Sequence, residues 1–110
     1  MDTINGIPPA EIVVQNHYFA VEHQHVRVRE LRQLANACRI DLGLPAGTTL
    51  QRVSGPDSAP WLVWQQPFAS LDAWAADLDT LAASTEFVAI RELQAAALSH
   101  FDRIAYRRIG

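Results

Sequence analysis

Between Glu11 and Leu42 the apolar residues change their period, and that change limits the folds open to the chain. The first part, "EIVVQNHYF" (11–19), is rich in β-branched and aromatic residues and alternates from Val14 onward, which predicts a strand buried on both faces at its start. From Val21 the repeat becomes helical. Val21, His25, Val28, Leu31, Leu34, Ala35, Cys38 and Leu42 recur at steps of three and four, while Arg27, Arg29, Glu30, Arg32, Gln33 and Arg39 fall mainly outside the stripe. Gly43 suits a C-terminal cap and Pro45 stops the helix.

The same signals continue along the chain. "TTLQRVS" (48–54) and "PWLVWQQ" (60–66) read as two strands of a hairpin across the turn-forming "GPDSA" (55–59). Ser70 caps a second helix, with Leu71, Trp74, Ala75, Leu78, Leu81 and Ala82 on one face and Asp72, Asp77 and Asp79 outside it. Ser84 or Thr85 caps a third, in which Phe87, Ile90, Leu93, Ala97 and Leu98 keep the helical period. "HFDRIAYRRI" (100–109) is the last strand, and its Arg-rich end suits an exposed edge or a dimer contact. Residues 1–10, with Gly6 and the Pro8-Pro9 pair, form an irregular lead-in to a single domain over 11–110.

Strand, helix, hairpin, helix pair, strand is the split βαβ arrangement of a ferredoxin-like α+β fold: a four-stranded antiparallel sheet with helices on one face. The other face would carry Trp61 or Trp64 and Val63 or Leu62, too apolar to meet water across a whole sheet, so a second copy of the chain is the simplest cover.

Composition narrows the function classes. The 110 residues are 49% hydrophobic and 19% charged, enough for one domain with a core. A formal net charge of −3 leaves no electrostatic footprint for nucleic acid, and Arg103, Arg107 and Arg108 are too sparse a basic run to make one. Cys38 is the sole cysteine, which excludes an intrachain disulfide and paired-cysteine zinc sites and fits a reducing compartment. Neither a signal-type N-terminus nor a run of about 18 apolar residues is present, so a soluble cytoplasmic protein without membrane contact is expected.

The chemistry-bearing stretch is "NHYFAVEHQH" (16–25), with three of the four histidines. On a strand His17 and Tyr18 point to opposite faces while Asn16 and Tyr18 share one. His23 and His25 lie two apart at a helix start, where ligands need a spacing of three or four, so no metal site is expected. His25, His17 and Tyr18 are the candidate catalytic groups, the histidines because imidazole titrates near neutrality. Asn16 and Tyr18 offer an amide and a hydroxyl to a carbonyl or oxyanion. Trp64 and Gln66 share a face of the third strand; Trp74 and Cys38 read as core.

In "VVQNHYFAVEHQHVRVRELRQLA" and "FASLDAWAADLDTLAASTEFVAI" the chain resembles the dimeric α+β barrel superfamily, and within it NIPSNAP-like proteins. The shared features are a polar residue two before a strand tyrosine, a Ser-Leu-x-x-Trp helix start, and the later step Ser84-Thr85-Glu86-Phe87. The chain departs from the family at Val14 and Asn16, where an acidic residue and an arginine are usual, and lacks a Pro-Gly after the strand. A haem-degrading subgroup is similar in Asn16 and in Trp61 or Trp64, but its helix histidine has no counterpart after Phe68. The resemblance implies a homodimer of two sheets face to face, binding a small, mostly apolar ligand between sheet and helices through Asn16, Tyr18, His25, Trp64 and Gln66, with no cofactor. The alternatives are a cofactor-independent monooxygenase or isomerase, in which His17 or His25 moves a proton, and a non-catalytic dimerisation module.

Overall fold

The computed structural model describes residues 11–110; the expected lead-in over 1–10 lies outside the described residues. The elements are β1 (Ile12–Ala20), α1 (His25–Asp41), β2 (Thr48–Gln51), β3 (Leu62–Phe68), α2 (Leu71–Ala82), α3 (Thr85–Ala96) and β4 (Leu98–Arg107). They build one antiparallel sheet in the order β2-β3-β1-β4, the ferredoxin-like arrangement that the alternation of periods predicts. No helix among the described residues is long and apolar enough to cross a membrane.

Local chemistry sets the boundaries. Val21 to Gln24 form a turn closed by Gln24 N–H donating to Val21 C=O at 2.9 Å, with His23 at a φ of 70°, so α1 starts at His25 and not at Val21. Its far end is a Schellman cap. Leu44 N–H donates to Arg39 C=O and Gly43 N–H to Ile40 C=O, each at 2.9 Å, and Gly43 takes the left-handed φ of 78° that this cap requires. Ser70 Oγ accepts from Ala73 N–H and Ser84 Oγ from Phe87 N–H, both at 3.1 Å, which fixes the starts of α2 and α3. β2 stops at Gln51, and β4 starts at Leu98, directly after the Ala97 cap of α3.

Sheet parity sorts the side chains. Ile12, Val14, Asn16 and Tyr18 of β1, with Leu62, Trp64 and Phe68 of β3, are buried beneath the helices. Tyr18, Val28, Leu62, Trp64 and Ala97 make the core at one end, while Ala35, Cys38, Leu81 and Phe87 join the three helices. Val63, and not Trp64, faces the open side; Trp61 precedes β3 and packs beside the first core cluster. On that open side half-buried Val13, Phe19, Val63 and Ile104 surround polar Gln15, His17 and Gln65. The molecule is accordingly flat. Its shortest extent is 17 Å and its radius of gyration is 15.2 Å, against about 13 Å expected for a compact domain of this length.

Three charged residues contradict the sequence reading. Arg32 and Arg39 are 4% and 1% exposed, not on the outer face of α1, and Asp77 of α2 is buried with them. Arg39 Nη1 and Nη2 donate to the two Asp77 carboxylate oxygens at 2.9 and 2.7 Å, and Nε donates to Pro45 C=O at 2.7 Å. Conversely Leu34, placed on the buried stripe, is exposed, as are Leu71 and Leu93.

Candidate functional site

One row of residues runs across the helix-facing side of the sheet: Thr49 of β2, Trp64 of β3, Asn16 of β1 and Arg103 of β4. A polar chain follows this row. Arg103 Nε donates to Asn16 Oδ1 at 3.0 Å, and Asn16 Nδ2 donates to Tyr18 Oη at 3.4 Å. Above the sheet, Arg32 of α1 donates from Nη1 to Tyr18 Oη at 3.0 Å and from Nε to Asn36 Oδ1 at 2.8 Å; Asn36 Nδ2 then donates to Thr49 Oγ1 at 3.0 Å. Because an arginine can only donate, Arg103 fixes which end of the Asn16 amide faces Tyr18. The Tyr18 oxygen therefore accepts twice, and its own hydrogen has no acceptor among the described residues.

Trp64 is the platform beneath the cations. The guanidinium carbons of Arg32 and Arg39 lie 4.7 and 4.8 Å from its ring centroid, and its Nε1 donates to Ala46 C=O at 2.9 Å. Gly47, at a φ of 78°, comes so close to the indole that a Cβ there would lie 2.2 Å from Trp64 Nε1. The loop before β2 thus needs glycine for both space and conformation.

Beside this chain is a cavity of about 160 Å³ between sheet and helices. β1 contributes Asn16 and Tyr18, β4 contributes Phe101 and Arg103, α1 contributes Leu31, Arg32 and Ala35, and α3 contributes Phe87, Ile90, Arg91 and Gln94. Its walls are mainly apolar, and Phe101, Arg91 and Arg103 are exposed where it opens between α3 and the edge strand. Two buried atoms in the lining have no partner among the described residues: Arg32 Nη2 and Gln94 Oε1, the latter's Nε2 being held by Val28 C=O at 2.9 Å. Burial pulls the Arg32 guanidinium below the usual arginine range; the Tyr18 oxygen opposes this, and the positive charges of Arg39 and Arg103 reinforce it. Arg103 is lowered in the same sense, first by burial, with Tyr18 opposing and Arg91 adding repulsion.

The structure brings together only some of the residues singled out from the sequence. Asn16 and Tyr18 line the cavity side by side. Trp64 lies behind them, stacked on Arg32, and outside the cavity wall. Gln66 shares the helix-facing parity of Trp64, but its Nε2 donates to Pro67 C=O at 2.9 Å and it does not border the cavity. His25 packs edge-on against Trp61, with ring centroids 5.0 Å apart, and His17 is on the open sheet face with its Nε2 2.9 Å from Gln15 Oε1. The clustered histidines diverge, and among the described residues no three His, Cys, Asp or Glu side chains converge on a metal position. Sequence reasoning missed Arg32, Arg91, Gln94 and Arg103. Arg32 and Gln94 carried a signal: Arg32 stands four residues from Val28 and three from Ala35, and Gln94 four from Ile90 and three from Ala97, each on a buried stripe.

No protein-family model matches the chain, and no curated protein does. Among solved structures it is similar to a NIPSNAP family protein from Agrobacterium tumefaciens (TM-score 0.74, 18% identity, 99% of this chain and 95% of that one). It is also similar to a dimeric protein of unknown function with a ferredoxin-like fold from Bacteroides fragilis (TM-score 0.65, 13% identity, 89% and 96% covered). A third is a candidate antibiotic biosynthesis monooxygenase from Nitrosomonas europaea (TM-score 0.63, 12% identity, 93% and 90% covered). Nearly the whole chain therefore shares the ferredoxin-like α+β fold with a NIPSNAP family protein and with structures of this dimeric kind.

Proposed function

We propose that this chain is a NIPSNAP-like homodimeric α+β barrel protein of the cytoplasm that binds a small, largely apolar molecule between its sheet and its helices. The observation that carries the reading is the cavity beside Asn16 and Tyr18, apolar in most of its wall with a few convergent polar groups, which is the usual form of a small-molecule site. Its volume is close to that of the roughly 150 Å³ apolar cavities known to take up a benzene ring. The flat single-sheet shape and the half-buried open face support pairing through that face, and the Bacteroides fragilis protein of the same fold is described as dimeric.

A histidine-driven oxygenase or isomerase is disfavoured by placement. Proton transfer needs the base within hydrogen-bond reach of the substrate, and neither His17 nor His25 borders the cavity.

The test is a titration of the ¹⁵N-labelled protein with benzyl alcohol, alone and with Ile90→Trp, which fills the cavity. Saturable shifts at the Asn16 side-chain amide that disappear in I90W are the expected result. No shift there at millimolar concentration refutes ligand binding, and a monomer in sedimentation at micromolar concentration refutes the barrel.

A further inference from the structure

We infer that the cavity selects a carboxylate: its ligand is a small amphipathic acid whose carboxylate meets the Arg32, Arg103 and Tyr18 cluster and whose apolar body lies among Leu31, Phe87 and Ile90. The inference rests on the ligand-binding reading above and adds the charge of the ligand to it.

Three arginines, Arg32, Arg91 and Arg103, border one small space, and among the described residues no aspartate or glutamate does. The contrast with Arg39 is direct. Buried on the same helix, Arg39 has both terminal nitrogens on the Asp77 carboxylate, whereas among the described residues Arg32 has only neutral partners, Tyr18 and Asn36, and its Nη2 has none. A buried cation of this kind is stable where a counter-charge reaches it. The mutual repulsion of Arg32 with Arg103, and of Arg103 with Arg91, is of the sign that an anion placed among them would relieve.

Hydrogen-bond direction gives an independent argument. Asn16 has its oxygen taken by Arg103 and its nitrogen by Tyr18, and Tyr18 accepts twice, so the hydroxyl hydrogen is the group it can still offer. Arginine nitrogens and this hydroxyl are all donors, and a carboxylate supplies only acceptors, in a plane that a guanidinium matches; the unpaired acceptor of the lining, Gln94 Oε1 on α3, is not part of that cluster. Phosphate shares the charge, but the mainly apolar wall favours an acid that has a hydrocarbon body.

The experiment titrates ¹⁵N-labelled protein with benzoate and, separately, with benzyl alcohol, its neutral counterpart, at one ionic strength. Benzoate is expected to bind at least about tenfold more tightly, as a charge-assisted contact in a mainly apolar site implies, with shifts at the Arg32 and Arg103 Nε–H and Asn16 Nδ2 resonances. Arg103→Gln is expected to remove most of that preference, read as the ratio of benzoate to benzyl alcohol affinity in the same variant. Arg32→Met should do the same where its spectrum shows a folded protein. Equal affinity for the two probes overturns the carboxylate assignment and leaves the cavity reading standing. Binding by neither probe overturns both. A benzoate preference that survives Arg103→Gln places the carboxylate elsewhere and also refutes the assignment.

Discussion

Asp77→Ala removes the only carboxylate among the described residues that Arg39 touches. In the folded protein Arg39 is 1% exposed, so the substitution leaves a guanidinium enclosed without a counter-ion, a situation that typically destabilises by about 3–5 kcal/mol. Two contacts survive, the Nε–H donation to Pro45 C=O at 2.7 Å and the stacking on Trp64 at 4.8 Å, and they hold the loss to the lower end, about 3 kcal/mol. With roughly 4 °C or more per kcal/mol for a domain of this size, the melting temperature falls by about 12 °C or more. Urea denaturation at one fixed protomer concentration measures the change, because any pairing of chains would make the midpoint concentration-dependent. The second arm is Arg39→Met with Asp77→Leu. Replacing both charges by apolar groups of similar volume removes the desolvation penalty together with the attraction, so the double variant should lie within about 1.5 kcal/mol of the parent. If Asp77→Ala costs less than about 1 kcal/mol, Arg39 reaches water or another anion and the buried-pair reasoning fails.

Three further outcomes follow from the geometry. Gly47→Ala combines an unfavourable left-handed φ with a Cβ 2.2 Å from Trp64 Nε1, so it should cost at least about 2 kcal/mol in urea denaturation and alter tryptophan fluorescence; a neutral effect would show that this loop moves freely. Ser84→Ala removes the cap of α3 and should cost about 1 kcal/mol with an unchanged denaturant slope, whereas a change below about 0.3 kcal/mol would count against the cap. Burial raises the Cys38 thiol above its ordinary pKa, with the Glu86 carboxylate adding to the shift and the Ser84 hydroxyl opposing it. The fold therefore disfavours the thiolate, and the stability this group contributes is complete below the unfolded thiol's pKa, about 8.5, and lost as pH rises through the higher folded value. Disulfide-exchange reagents should label Cys38 slowly at pH 8 and rapidly only in denaturant; fast labelling of the folded protein would contradict its burial.

The backbone of this fold was legible because local signals and global topology agree in it. Alternation placed Asn16 and Tyr18 together and His17 opposite, and serine caps marked both later helices. The candidate site was less legible, for a reason visible in α1. Its buried stripe runs Val28, Leu31, Arg32, Ala35, Cys38, Arg39, and a reading by polarity removes two of those six from the core. What permits their burial lies far away in the chain: the Trp64 indole for both, and Asp77, 38 residues on, for Arg39. Arg103 was visible only as part of a basic run, because strand register, not composition, sets it opposite Asn16. The turn at His23 was missed because the helical spacing of Val21 and His25 runs across it, although histidine is among the residues that more often take the positive φ found there.

β4 is a ten-residue strand at the border of the sheet, with β1 on one side and, among the described residues, no strand on the other. An edge of that length invites further strands to add to it, the route by which sheets grow into fibres. Here the invitation is blocked by charge. Asp102, Arg103 and Arg107, followed by Arg108, lie among the exposed rings of Phe101 and Tyr106, so a second β4 alongside, parallel and in register, would bring like charges together. Neutralising Arg103 and Arg107 together would therefore leave a segment prone to fibre formation, so that Arg103, in the cavity lining, also guards the edge of the sheet.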